Sequence, residues 1–311
     1  MSGVIRSSLT GLKPVSRGED ITSHRLFDVL FPDPDTHRTY AFIDAARIPD
    51  LEARLALHSE KAICLAEGPG NAHLAWALPW LIEVKPGDKL LRHLLSDQSP
   101  SGLWDSEVGL FFVTPMEPVK LMRHLRKFHR PIVDKGATPI FLRFWEPELL
   151  LGMVEMECGH IRALPKPDLR IVARFEDEAH ILTAQQESSI RPGRLTLEEA
   201  DAIGKLLIGR RRRGIAQRIA ETFPDAISHL SPRALEREVH DAWLAANHFG
   251  LQDGEVRAKF IIMCVAMVPG LHREPRIERL FAGSTNPDRS FRELDQVIQR
   301  RVGSVSAEEV A

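Results

Sequence analysis

Three charged residues lie at the ends of, or within, apolar stretches, where ion pairing or ligand binding is the chemistry to expect. Asp44 ends the apolar run 39–43, and Arg143 and Glu146 lie on either side of Trp145. An unpaired buried charge is costly, so each of these charges needs a partner. We favour ion pairs or caps that tie strand ends together over a binding role, although loops at strand ends also form sites.

The strongest run of charge consists of Arg210, Arg211, Arg212 and Arg213. Such a run could hold nucleic acid, a nucleotide phosphate or an acidic protein surface. We favour a solvated helix start or loop, because the sequence around the run is close to neutral. The chain has no RNP-like aromatic motif and no helix-turn-helix signature, so nucleic acid is not expected among its partners.

Sequence motifs for metal, nucleotide and nucleophile chemistry are incomplete. Cys158-Gly159-His160 is half of a zinc motif, but no second pair of ligands has suitable spacing. Gly68-Pro69-Gly70-Asn71 lacks the Lys-Ser/Thr of a phosphate loop and the spacing of a dinucleotide fold. A Cys–His pair formed in space stays open. We predict no catalytic residue, no cofactor and no metal.

Composition narrows the class of protein. The chain has 311 residues with 41 basic and 43 acidic side chains, a net charge of -2, spread evenly along its length. This balance argues against a basic nucleic-acid-binding domain. Three widely spaced cysteines fit a reducing compartment. The N-terminus has no apolar signal region and the apolar runs are short, so we expect a cytoplasmic protein with no membrane partner.

The elements that must position these residues follow from apolar runs and turn signals. Strands are predicted where short apolar runs end at charged or turn residues, and helices where apolar residues recur at i, i+3 and i+4. The alternation of the two predicts an α/β N-terminal domain with a mixed sheet flanked by helices. Strands are expected over 39–43, 62–65, 79–84, 109–113 and 140–145, with helices from Pro49, over 89–95, over 117–128 and from Pro147.

The pattern changes after residue 160. A strand pair is possible at Leu169–Val172 and His180–Leu182, and the sequence becomes helical after Pro192-Gly193. Thr196 and Glu199 have the spacing of a capping box. Separate helices are expected over 200–207, 215–223, 231–247, 255–268, 276–281 and 291–302.

Four segments follow from this reading. They are a weakly ordered lead-in over 1–37, an α/β domain over 38–165, a linker with a possible strand pair over 166–190 and an all-α domain over 191–311.

One predicted helix, 117–128, has a basic face that carries Arg126 and Lys127. Aromatic and arginine side chains are common anchors of protein interfaces. The candidates for partner binding are therefore the following: Arg126, Lys127, Arg143, Trp145, Glu146, Arg210, Arg211, Arg212 and Arg213.

Four motifs in order carry a family resemblance. They are the segments 40–47 (YAFIDAAR), 77–81 (ALPWL), the basic helix 121–128 and 141–147 (FLRFWEP). Together they resemble the domain of unknown function 4123 family over roughly residues 38–155. Trp80 and Trp145 stand where that family usually has Tyr, and Glu146 stands where it has Asp.

The resemblance implies a function as well as a fold. Proteins of this kind are adaptors, or chaperones, that bind a bacterial type VI secretion effector and load it onto the VgrG spike. The family implies no enzyme activity and no cofactor. Two alternatives remain open: a cytoplasmic enzyme acting on a phosphorylated or acidic small molecule through Arg143 or the arginine run with Glu146, and a nucleic-acid accessory protein.

Overall fold

The computed structural model describes residues 4–16, 18–48, 51, 55, 62–66, 74–97, 102–106, 108–134, 136 and 138–308. The chain divides into two compact units, Met1–Leu206 and Leu207–Ala311. The first unit combines a sheet with helices and the second is helical, which confirms the predicted fold class. The predicted turn at 68–70 and most of the helix predicted from Pro49 lie outside the described residues.

A seven-stranded antiparallel sheet organises the first unit. Its strand order is β1-β8-β7-β5-β2-β4-β3, and β6 and β9 form a separate parallel pair. The strands are β1 Val4–Leu9, β2 Arg38–Asp44, β3 Ala62–Cys64, β4 Pro79–Val84, β5 Gly109–Thr114, β6 Ile132–Val133, β7 Arg170–Phe175, β8 Glu178–Ala184 and β9 Arg194–Leu195.

Helices cover both faces of this sheet. Tyr40 and Phe42 of β2 belong to one hydrophobic core, whereas Ala41 and Ile43 belong to the other. Because both faces are covered, residues 39–44 are all buried, and the sequence shows a continuous apolar run instead of alternation. The helices of this unit are α1 Phe27–Leu30, α2 Lys89–Leu94, α3 Pro118–Leu125, α4 Pro147–Glu155 and α5 Gly159–Arg162.

The strand directions differ from the predicted mixed sheet. β4 and β5 each pair antiparallel with β2, so they run parallel to each other, and α2 lies in the connection between them. The predicted alternation of strands and helices is therefore real here, because α2 forms a crossover connection between the parallel strands β4 and β5. The pairing is antiparallel because β2 occupies the gap between the two crossover strands.

The aromatic stretch 140–145, predicted as a strand, is a loop followed by a turn. Its backbone is held by other loop residues: the Ile140 amide donates to the Pro131 carbonyl and the Leu142 amide to the His129 carbonyl, both at 2.9 Å. Leu142 and Trp145 are buried in the first core. The apolar run thus reflects burial of a loop, and an apolar run alone does not distinguish this from a strand.

Two segments predicted to lie outside the α/β domain supply strands to it. β1, from the predicted lead-in 1–37, pairs with β8 from Val4↔Ala184 to Leu9↔Ala179. β7 and β8 form the strand pair predicted within 166–190, but they are part of the sheet and not of a linker. Their partners lie far away in sequence, so local composition does not reveal the pairing.

The second unit is built from helices around an aromatic core. Rings of Phe249, Phe260, Phe281 and Phe291 pack together, with centroids 4.8–6.0 Å apart. No helix in the described part of the chain is long and apolar enough to cross a membrane. The helices are α6 Leu197–Thr222, which begins in the first unit, α7 Pro232–His248, α8 Gly254–Ile262 with a π turn over Met263–Met267, α9 Pro275–Ala282 and α10 Pro287–Glu308.

The predicted capping box starts α6. The Thr196 amide donates to the Glu199 carboxylate at 2.8 Å, and the Glu199 amide donates to the Thr196 hydroxyl at 3.1 Å. The two helices predicted over 200–207 and 215–223 are one continuous helix. Gly209 and Gly214 lie within it and do not end it, although glycine weakens helix interiors.

Candidate functional site

Asp44 stands at the end of β2, an interior strand of the sheet. Its side chain is only 1% exposed, and it accepts a hydrogen bond from the Ala46 amide at 3.2 Å. This bond caps a short 3₁₀ helix, Ala45–Arg47, which turns the chain away from the sheet. Asp44 is therefore a buried carboxylate held by the backbone amide two residues later in the chain. It requires a cationic partner.

Arg143 is that partner, and it also joins Asp44 to Glu146. Its Nη2 donates to the Asp44 carboxylate, and its Nε donates to Glu146 Oε1 at 2.5 Å. Arg47 stands farther off, with Nε 3.9 Å from Asp44 Oδ2, and donates to the Ser106 carbonyl. Ion pairs do connect these charges, but they join the end of β2 to the turn before α4 and not two strand ends, because 140–145 is a loop.

Glu146 is positioned by the start of α4. It occupies the N-cap position before Pro147, and the Glu146 carbonyl accepts the Leu150 amide at 2.9 Å. Proline is favoured at a first helical position, which explains why the helix begins there. The Glu146 carboxylate does not cap the helix and is held by Arg143.

Aromatic rings lie beside these ion pairs. Trp145 is fully buried, and the Arg143 guanidinium lies 5.6 Å from its ring centroid. Phe141 is 53% exposed and meets Trp145 edge to face at 5.7 Å. The Trp145 indole N–H has no hydrogen-bond partner among the described residues. We call Phe141, Arg143, Trp145 and Glu146 with Asp44 the aromatic–arginine patch.

The two predicted residues of the basic helix do not add charge to this patch. Arg126 donates to the carbonyls of Cys64 and Leu65, at 3.1 and 3.2 Å, and so ties α3 to the end of β3. Lys127 lines a separate pocket of about 130 Å³ together with Glu187. The role of Arg126 seen here is structural.

The arginine run lies inside α6. The favoured interpretation, a helix start or a loop, is therefore wrong. The members of the run do not share one environment. The Arg211 guanidinium packs on Gly254, whereas Arg212 and Arg213 line a groove of about 770 Å³. All of these residues belong to the second unit, so the candidates divide between the two units.

The sequence reading missed the residues that complete this groove. Arg233, Arg237 and His240, on α7, line the side opposite the arginine run, and the Arg212 guanidinium donates to Nδ1 of His240. Their spacing of i, i+4 and i+7 places them on one helical face. That spacing is the sequence signal for this side of the groove.

The half zinc motif has a structural role. His160 is buried; its Nε2 donates to the Phe128 carbonyl and its Nδ1 accepts the Gly193 amide, both at 3.0 Å. Burial raises the pKa of the Cys158 thiol to about 11, which makes it a poor nucleophile. The described residues contain no cluster of three or more potential metal ligands.

Part of the first unit matches a known protein family. Residues 39–160 match the model of a family described as a domain of unknown function, DUF4123. This confirms the resemblance drawn from the four motifs, over the segment that holds the aromatic–arginine patch. No curated protein and no solved structure matches the chain.

Proposed function

Because residues 39–160 form a DUF4123 domain, we propose that this chain is a cytoplasmic adaptor or chaperone of type VI secretion. In this role it binds a toxic effector and loads it onto the VgrG spike without chemical turnover. The support is the ordered set of four motifs, which resemble adaptors of this kind. The family match covers the same segment.

The observation that carries the proposal is the aromatic–arginine patch. Phe141 is held half-exposed by edge contact with the buried Trp145, and Arg143 is fixed by two carboxylates. A rigid aromatic side chain beside an ordered arginine loses little entropy on binding, and these residue types dominate protein interfaces. The patch therefore suits recognition of a protein surface.

Two features favour binding over catalysis at this patch. A catalytic acid or base must exchange protons with a substrate, whereas Asp44 and Glu146 both accept hydrogen bonds from the same guanidinium. The exposed group at the patch is Phe141, which has no acid–base chemistry. We therefore propose a role in assembly and not in turnover.

The experiment is an affinity pull-down of the tagged chain from a bacterium that expresses its type VI secretion genes. The wild-type chain is compared with Phe141→Ala and with the control Val119→Ala. Val119, 59% exposed on α3, is a second exposed apolar residue of the same unit. Copurifying chains are identified and quantified by mass spectrometry.

We expect a VgrG-type spike protein and a toxin-like chain to copurify with the wild type. Phe141→Ala should reduce recovery of one of them by about tenfold or more, which corresponds to about 1.4 kcal/mol of binding energy. Val119→Ala should recover both. Recovery of neither protein by the wild type would contradict the adaptor role. If Phe141→Ala recovered both proteins as well as the wild type does, the aromatic–arginine patch would have no part in the adaptor role.

A further inference from the structure

The groove of the helical unit concentrates positive charge in a chain that is nearly neutral. The described residues that line it include Arg212, Arg213, Arg233 and Arg237, and among them Glu236 carries the single carboxylate. The whole chain, by contrast, carries a net charge of -2. Among the described residues, no carboxylate forms an ion pair with Arg233 or Arg237. This local excess of cations calls for an anionic ligand.

The backbone adds to this field. Ser231, which lines the groove, is the N-cap of α7, and its hydroxyl accepts the Ala234 amide at 3.3 Å. The N-terminus of a helix carries a partial positive charge and unpaired amides. Helix α7 has 17 residues, so its N-terminal field acts in the same direction as the arginines. Fixed dipoles and mobile guanidinium groups thus act together on the groove.

Size and chemistry distinguish among anions. A groove of about 770 Å³ is in the range of sites for large ligands and far exceeds a single phosphate. Single-stranded nucleic acid needs aromatic side chains for its bases, and no Phe, Tyr or Trp is among the described residues that line the groove. Arginine forks instead pair well with several separate carboxylates.

We propose that this groove binds an acidic segment of a partner protein, with Arg233 and Arg237 holding its Glu and Asp side chains. The proposal rests on the groove alone and holds whether or not the chain serves type VI secretion. It adds a second recognition surface, on the helical unit, to the aromatic–arginine patch of the α/β unit.

The test measures binding of fluorescein-labelled peptides to the full chain by fluorescence anisotropy at about 0.15 M salt, where the screening length is about 8 Å. One short peptide alternates Glu with Ala, and a matched peptide has Gln in place of Glu. A labelled oligothymidine of the same length represents nucleic acid. The variants are Arg233→Glu/Arg237→Glu, the neutral pair Arg233→Gln/Arg237→Gln, and the control Arg276→Glu on α9.

We expect the Glu peptide to bind at least tenfold more tightly than the Gln peptide. The Kd for the Glu peptide should rise at least tenfold in Arg233→Glu/Arg237→Glu and about threefold or more in the Gln pair, with little change in Arg276→Glu. Arg233 and Arg237 are exposed, so the variants should fold. Equal binding of the two peptides, an unchanged Kd in both groove variants, or tighter binding of oligothymidine would each overturn the proposal.

Discussion

The Arg143 guanidinium donates to the buried carboxylate of Asp44, ninety-nine positions earlier in the chain. The contact joins the end of β2 to the turn that precedes α4. Because the same guanidinium also holds Glu146, one arginine compensates two carboxylates. Asp44 is almost completely buried whereas Arg143 is about a third exposed, so Asp44 depends more on the pair than Arg143 does.

Removal of Arg143 should therefore destabilise the α/β unit. We expect Arg143→Leu to lower the free energy of unfolding by roughly 2–4 kcal/mol, because the buried Asp44 carboxylate loses its main partner. Asp44→Asn should cost about 1–2 kcal/mol, since the amide oxygen still accepts the Ala46 amide. Urea denaturation followed by circular dichroism would measure both values.

The control for this pair is Arg38→Leu. Arg38 is 40% exposed and pairs with Glu83 and Glu117 at 3.5 and 2.7 Å. Exposed ion pairs contribute little, so the loss should be much smaller than for Arg143→Leu. Equal losses for Arg143→Leu and Arg38→Leu would show that the buried position of Asp44 does not matter.

Local sequence predicts those parts of the fold whose burial follows a simple pattern. β4 has the predicted bounds, 79–84, and β2 and β5 extend the predicted runs by one or two residues. The pattern is misleading at 140–145, where Leu142, Phe144 and Trp145 of a loop are buried as deeply as strand residues. Strand order and the pairing of β1 with β8 depend on contacts between distant segments, and no local signal encodes them.

The candidate sites show the same division. The prediction that Asp44 and Arg143 need ionic partners followed from charges in apolar surroundings, but which charges meet could only be seen in the fold. The near-neutral sequence around the arginine run predicts a solvated helix start or loop. The groove beside the run exists because α7 brings Arg233 and Arg237 to face it, and that is a tertiary relationship.

Alanine at two glycines should have opposite effects on stability. Gly109 begins β5, and a Cβ there would collide with the carbonyl oxygen of Phe42, a backbone atom that cannot move aside easily. Gly109→Ala should cost about 3 kcal/mol or more. Gly214 lies inside α6 with open space around it, so Gly214→Ala should stabilise the helix by about 0.5–1 kcal/mol. Thermal melting would compare them, and a gain for both would contradict the close approach at Gly109.

The three cysteines should differ in their accessibility to a thiol reagent. Cys64, on the edge strand β3, is only partly buried, whereas Cys158 and Cys264 are fully buried. Burial raises the pKa of Cys264 to about 12, so very little thiolate forms at neutral pH. We expect the native chain to release one equivalent of thionitrobenzoate from Ellman's reagent, and three after unfolding. Cys64→Ser should abolish the native reaction; rapid reaction of that variant would contradict the burial of the other two.

Acid should destabilise the fold through buried histidines, and His160 allows a direct test. Its two hydrogen bonds, to the Phe128 carbonyl and from the Gly193 amide, are both satisfied by the neutral tautomer with hydrogen on Nε2. A second proton on Nδ1 would face the Gly193 N–H. Burial lowers the pKa of His160 below its ordinary value of 6.5, so the unfolded chain binds a proton that the folded chain excludes.

The sign follows from this difference in proton uptake. The contribution of neutral His160 is present above about pH 6.5 and is lost as the pH falls from 6.5 toward the lowered folded-state pKa. Over that range His160→Gln should reduce the slope of unfolding free energy against pH by up to about 1.4 kcal/mol per pH unit. Leu150→Ala, a fully buried control, should destabilise the fold at every pH and keep the wild-type slope. Urea unfolding at pH 5, 6 and 7 would measure both slopes. A wild-type slope in His160→Gln would contradict the prediction, because it would mean that His160 takes up its proton without loss of the Gly193 hydrogen bond.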